Sequence, residues 1–167
     1  MKNILTGAIC LLTIFCVTDA AFADSGSKSS AQTVKGQRGQ SLTVSNTVAV
    51  ADSTRVTVVG AGYDMKLGIY VTYCVIPPKG TRPELCGPFD VTGANNQSIW
   101  ISSNPPLYAA FLVTPFSKGG SFKVTIPVHR MIGNQDCKKV RCAVLTRADH
   151  TQSDNRLADV IVPILIK

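Results

Sequence analysis

Short runs of apolar–polar alternation, repeatedly cut by glycine and proline, recur from residue 41 onward and constrain the fold more than any other feature. Residues 121–128 carry the clearest run. Phe122, Val124, Ile126 and Val128 fall on one side, and Lys123, Thr125 and Pro127 on the other. A period of two is that of a strand with one buried face. Leu42, Val44 and Val48 alternate with Thr43, Ser45 and Thr47. Val56 and Val58 alternate with Arg55 and Thr57, and Ile69, Val71 and Tyr73 share a face. Segments 142–146 and 159–166 complete the set. Gly60-Ala61-Gly62, Pro77-Pro78, Gly119-Gly120 and Gly133-Asn134 stand between these runs. Few stretches show a 3.6-residue period. Several short strands with glycine and proline turns predict an all-β antiparallel sandwich. Pro127 and Pro163 are predicted at sheet edges or bulges, because proline has no N–H to give a ladder.

The start of the chain predicts the compartment. Lys2 is followed by an apolar stretch, Ile4 to Val17, and then by Ala21-Phe22-Ala23, small residues where a signal peptidase cuts. Residues 1–23 read as a cleavable signal peptide, which predicts a protein that is secreted, extracellular or cell-wall associated. Residues 24–40 are rich in Ser, Gly and Gln, with Lys28, Lys35 and Arg38. They are predicted to be a flexible basic N-terminal segment. Residues 41–167 are then one domain of ordinary size. The net charge is +7, which favours weak attraction to an anionic cell-envelope polymer. Lys and Arg are spread rather than clustered among aromatics, so no nucleic acid is expected as a partner.

Removing the signal removes Cys10 and Cys16 and leaves Cys74, Cys86, Cys137 and Cys142. An even number in an exported chain points to disulfides. Four cysteines allow three pairings. In the local one, Cys74–Cys86 and Cys137–Cys142, each bridge closes a short loop, and each would stabilise the fold by about 2–3 kcal/mol. The spacings do not match those of zinc sites, and two histidines add little to them, so no metal is expected.

Order and spacing together resemble a known fold. A strand ends in Val58-Val59-Gly60-Ala61-Gly62 and is followed by Gly68-Ile69-Tyr70-Val71-Thr72-Tyr73-Cys74. The chain returns to Cys86. The strand Gly120-Ser121-Phe122-Lys123-Val124 then leads to Cys137 and Cys142, and residues 159–166 end the chain. Over roughly residues 42–166 this resembles the neocarzinostatin-like fold of actinobacterial secreted proteins. The stretches Ser98-Ile99-Trp100-Ile101-Ser102-Ser103-Asn104-Pro105-Pro106 and 142–151 resemble more nearly uncharacterised actinobacterial secreted and surface domains of this shape. The resemblance implies an immunoglobulin-like antiparallel sandwich of about seven strands with two local disulfides in this order. Antibiotic-carrier members of the family bind an apolar chromophore in a cleft of the sandwich. This chain differs from them in a long segment, 90–118, between the first disulfide and the next strand. It differs again in a charged last loop, 146–156.

Two groups of residues are candidates for function. Trp100, Tyr108, Phe111 and Phe116 lie in the long segment among Pro105, Pro106 and Pro115. They are candidate contacts for an apolar ligand or a surface protein, or else they cover the sandwich. Arg147, Asp149 and His150 begin the charged loop, which continues through Asp154, Asn155, Arg156 and Asp159. An Asp beside a His is compatible with acid–base chemistry. It is equally compatible with a polar turn in which Asp149 accepts backbone N–H bonds and Arg147 pairs with a carboxylate. No G-x-S-x-G elbow is present, and neither His129 nor His150 has a recognisable partner motif. The sequence therefore predicts a protein that is not an enzyme and needs no cofactor. It predicts a secreted or cell-envelope binding or structural module, with an apolar small-molecule carrier as the alternative.

Overall fold

A computed structural model describes residues 30–92 and 96–167. The predicted signal peptide, Cys10, Cys16 and Lys28 lie outside the described residues. Two sheets face each other. One has the order β1-β2-β3-β7, built from β1 (Gln32–Lys35), β2 (Ser41–Val44), β3 (Thr54–Ala61) and β7 (Phe122–Val128). The other has the order β11-β10-β4-β5-β6, from β4 (Ile69–Val75), β5 (Ser98–Ile101), β6 (Val113–Thr114), β10 (Cys142–Ala148) and β11 (Val160–Ile164). A small ribbon pairs β8 (Met131–Ile132) with β9 (Gln135–Asp136). All pairs within these sheets are antiparallel except β5 with β6.

The core is filled by the alternating residues of the facing strands. Leu42 and Val44 enter from β2, Val56 and Val58 from β3, and Phe122, Val124, Ile126 and Val128 from β7. Ile69, Val71 and Tyr73 meet them from β4, and Val160, Val162 and Ile164 from β11. Each fully buried aliphatic side chain of this kind contributes about 1.5–3 kcal/mol relative to exposure. Val48, which alternation puts on the same face as Leu42 and Val44, is exposed because β2 ends at Val44. Pro127 and Pro163 lie in β7 and β11, both edge strands, where a missing N–H costs no ladder bond.

The disulfides are Cys74–Cys86 and Cys137–Cys142. The first ties the end of β4 to the loop that follows it. The second joins the exit of the β8–β9 ribbon to the start of β10. Arg130 makes two bonds to the Asp136 carboxylate in that ribbon, and they hold Asp136 well below the usual carboxylate range. Two disulfides suit an oxidising, extracellular setting.

The segment read as a flexible lead-in needs correcting over its described part. Gln32–Lys35 is a strand, paired with residues 41–44 of β2. Only Val34 packs against the core, and Gln32, Thr33 and Lys35 are exposed. An edge strand held by ladder bonds rather than by burial leaves no apolar period to read. Gln40, at the end of the same segment, is buried and donates from Nε2 to the Leu157 carbonyl at 2.6 Å.

Segment 90–118 is likewise more than a loop. It supplies β5, a 3₁₀ turn (Leu107–Leu112) and β6, and so extends the second sheet. It returns to β7 through Gly119 and Gly120, both with positive φ. At Gly120 (φ 65°) an added Cβ would stand 1.9 Å from the Tyr63 carbonyl oxygen, so both conformation and space require glycine. Gly120→Ala should therefore destabilise the protein by at least about 2 kcal/mol in urea unfolding, and an unchanged midpoint would refute this account of the turn.

Candidate functional site

The register of the second sheet assembles a polar and aromatic row on its outer face, away from the core. Arg147 of β10 is opposite Tyr70 of β4, and Tyr70 is opposite Trp100 of β5. Their strand neighbours Ile69, Val71, Ile101 and Ala148 point into the core, so these three side chains point out. Phe89 and His150 join the row from the flanking loops. Ring centroids are 6.0 Å apart for Tyr70–Phe89, 6.1 Å for Tyr70–Trp100, 6.3 Å for Tyr70–His150 and 5.0 Å for Trp100–His150. The Arg147 guanidinium carbon lies 5.3 Å from the Tyr70 ring centre, a cation–π distance. Tyr70 and Arg147 are half-buried, and Phe89 and His150 are exposed.

Asp149 fastens the row from behind. It is buried, and its carboxylate is fully engaged. Oδ2 accepts from the Trp100 indole Nε1–H at 2.9 Å, and Oδ1 accepts from the Thr151 N–H at 2.9 Å and the Thr151 hydroxyl at 2.6 Å. Its own N–H donates to the Gly68 carbonyl at 2.9 Å. A buried charge is tolerable only with such donors. Asp149 thereby caps the short 3₁₀ turn His150–Gln152. Gly68 makes room for it, since a Cβ there would meet Asp149 Oδ2 at 1.9 Å. The polar-turn reading of Asp149 thus matches its bonding.

The companion expectation for Arg147 does not hold. Arg156 takes the carboxylate, bonding Asp159 at 3.1 Å, while Arg147 stacks on Tyr70 and makes no ion pair among the described residues. Burial lowers the Arg147 pKa, and the nearby charges of Arg82 and Arg156 lower it further, against the opposing influence of Tyr70 and Asp159. Burial raises Tyr70, with Asp149 adding to the shift and Arg147 opposing it. Burial also raises Asp159 to about 6, outweighing Arg156 and Arg147.

The remaining candidates separate. Phe116 is a core residue, stacked on Tyr63 at 6.4 Å and near Phe122 at 6.2 Å, and its ring packs inside the sandwich. Trp100 is buried too, but on the outer face, where it touches the charged loop instead of a cleft in its own segment. Tyr108 and Phe111 stand 77% and 81% exposed on the 3₁₀ turn, beside Leu107 at 96%. Tyr70, Phe89 and Arg82 were not singled out from sequence. Strand parity gives a signal for Tyr70, since it opposes Ile69 and Val71; no local pattern marks Phe89 or Arg82.

The histidines form no catalytic relay. His150 Nδ1 shares a 2.8 Å hydrogen bond with the Tyr70 hydroxyl. His129 Nδ1 lies 3.2 Å from Ser53 Oγ and 3.8 Å from Asp52 Oδ1. Serine and carboxylate approach the same ring nitrogen, whereas a relay needs them on opposite ones. A cleft of about 360 Å³ opens beyond the His150–Gln152 turn, between Tyr63, Leu67, Ile69, Gln152, Asn155 and Leu157. A second of about 360 Å³ lies within the first disulfide loop and includes Arg82 and Leu85.

No protein-family model matches the chain, and no curated protein does. Among solved structures, macromomycin matches with a TM-score of 0.51 at 15% identity, over 77% of this chain and 99% of that one. The chain has the neocarzinostatin-like fold. At this identity the likeness speaks for the neocarzinostatin-like architecture alone, and the row of side chains on the outer face must be argued from its own geometry.

Asp149→Ala would strand the indole N–H of Trp100 and the N–H of Thr151. It should cost about 3 kcal/mol of stability and shift the emission of the single tryptophan. A variant with unchanged emission and unfolding midpoint would contradict the fastening role. A raised carboxyl pKa favours the native state at low pH. The contribution of Asp159 is fully present below about pH 4 and is lost as pH rises through about 6. The stability of the protein relative to Asp159→Asn should therefore fall between those values, as read by parallel melting curves.

Proposed function

We propose that the protein is an exported, non-catalytic carrier that holds a planar aromatic small molecule against the outer face of its second sheet. One observation carries this reading. Outside the hydrophobic core, the Tyr70 ring contacts those of Phe89, Trp100 and His150, and Trp100 contacts His150, with Phe89 36% exposed at the open side. Aromatic faces in such an arrangement offer stacking area at little entropic cost, because each ring has its neighbours as stops. The carrier reading stood second on sequence alone. The neocarzinostatin-like fold and the outward aromatic row now support it better than a structural module.

Export rests on the predicted signal peptide and on the two disulfides. The non-catalytic part rests on how the polar groups are used. Asp149 spends its oxygens on Trp100 and Thr151, and His150 Nδ1 is taken by Tyr70.

Trp100 is the only tryptophan and lies in the row, so ligand binding has a built-in reporter. Phenylnaphthylamine, a neutral aromatic probe, should quench Trp100 emission saturably. Tyr70→Ala should weaken its binding by about tenfold, the loss of one stacked ring. Failure of the probe to bind, or equal binding by Tyr70→Ala, would remove the carrier reading.

A further inference from the structure

We propose that the carried molecule bears an anionic group and that Arg147 is the residue that selects it. The proposal rests on the carrier reading and adds the charge of the ligand. Arg147 projects from the outer face next to Tyr70, with its guanidinium carbon 5.3 Å from the ring centre. A guanidinium held over a ring at this distance keeps its charge by the aromatic face and can still offer N–H donors to a planar acceptor. No carboxylate takes them. The arginine–carboxylate pairs of the described residues are Arg130–Asp136 and Arg156–Asp159, and Asp52 lies by His129 instead. The Arg147 Nε is buried without a hydrogen-bond partner. A half-buried cation with an unused donor is costly unless something completes it.

The surroundings favour an anion. Arg82, exposed on the first disulfide loop, and Arg156 both bring positive charge to bear on Arg147. Of the carboxylates near the row, Asp149 is committed to Trp100 and Thr151, and Asp159 gives Oδ2 to Arg156 while its Oδ1, buried without a partner, makes no bond to Arg147. A carboxylate, sulfonate or phosphate held beside the Tyr70 ring would bond the terminal guanidinium nitrogens, which make no hydrogen bond among the described residues, and relieve the mutual repulsion of the arginines. The aromatic body of the same molecule would lie along Tyr70 and Phe89. The ligand class is thus an aromatic acid, and the guanidinium sets the polarity that the rings cannot.

Two probes of one skeleton test this on the mature, disulfide-bonded protein. Anilinonaphthalene sulfonate is phenylnaphthylamine with a sulfonate added. The sulfonate should bind about tenfold more tightly than the neutral probe, the value of one charge-assisted contact, and added salt should shrink the difference. Arg147→Met, which keeps the apolar stem without the charge, should bring the ratio of the two affinities to about one. Melting curves verify that the variant is folded, and Arg147→Lys should restore part of the ratio. Equal affinities in the unmodified protein, with the neutral probe bound, would overturn the anionic proposal and leave the carrier standing. So would a preference that survives Arg147→Met, or one that disappears instead when Tyr108 and Phe111 are both changed to serine. Absence of binding by either probe would overturn both readings.

Discussion

The pairing of β10 between β4 and β11 is the constraint on which the site depends. β10 matches β4 over seven residues and β11 over five, all antiparallel. With a side-chain period of two, that register leaves no freedom about direction. Cys142, Val144 and Ala148 go into the sandwich, and Ala143, Leu145 and Arg147 go out. Because β4 then pairs with β5, Tyr70 and Trp100 follow Arg147 onto the same outer row. A slip of one residue in either pair would put Arg147 into the apolar core, and the cost of that burial protects the register.

The charged loop is locked to this row by a single carboxylate. Asp149 joins three parts of the chain: the indole of β5, the turn His150–Gln152 and the carbonyl of Gly68 just before β4. Its burial is compensated by donors rather than by a counter-ion. The same bonding removes it from chemistry. A carboxylate whose oxygens are occupied by an indole, a backbone N–H and a hydroxyl offers little to a substrate proton. What remains exposed around it is Phe89 and His150, with the half-buried Tyr70 and Arg147 between them.

Much of the architecture was legible in local pattern, and the site was not. The alternation in residues 55–59, 69–75 and 121–128 marks strands because burial on one face imposes the period. Four cysteines, an even number once the predicted signal is set aside, mark residues for bridging. Phe116 and Phe111 show the limit. Both are aromatic, both lie near a proline, and both belong to segment 90–118. One fills the core beside Tyr63 and the other stands 81% exposed. Nothing within a few residues of either distinguishes them, since the difference is made by β7 and by the Tyr63 side chain. β1 was missed for a related reason. An edge strand with three exposed residues of four is held by its partner's backbone, which leaves no trace in side-chain order.

The sequence by itself determined that the chain would form short strands around one apolar core, with an even set of cysteines to bridge and with prolines kept to edges or bulges. These are consequences of nearest-neighbour chemistry: period, turn residues and loop closure. Tertiary structure alone decided that Trp100 from the long segment, Tyr70 from β4 and Arg147 from β10 would share a row. It also decided that Arg156 rather than Arg147 would take Asp159. Such choices rest on which strands lie side by side and in what register, and those contacts join residues tens of positions apart, beyond the reach of any local pattern.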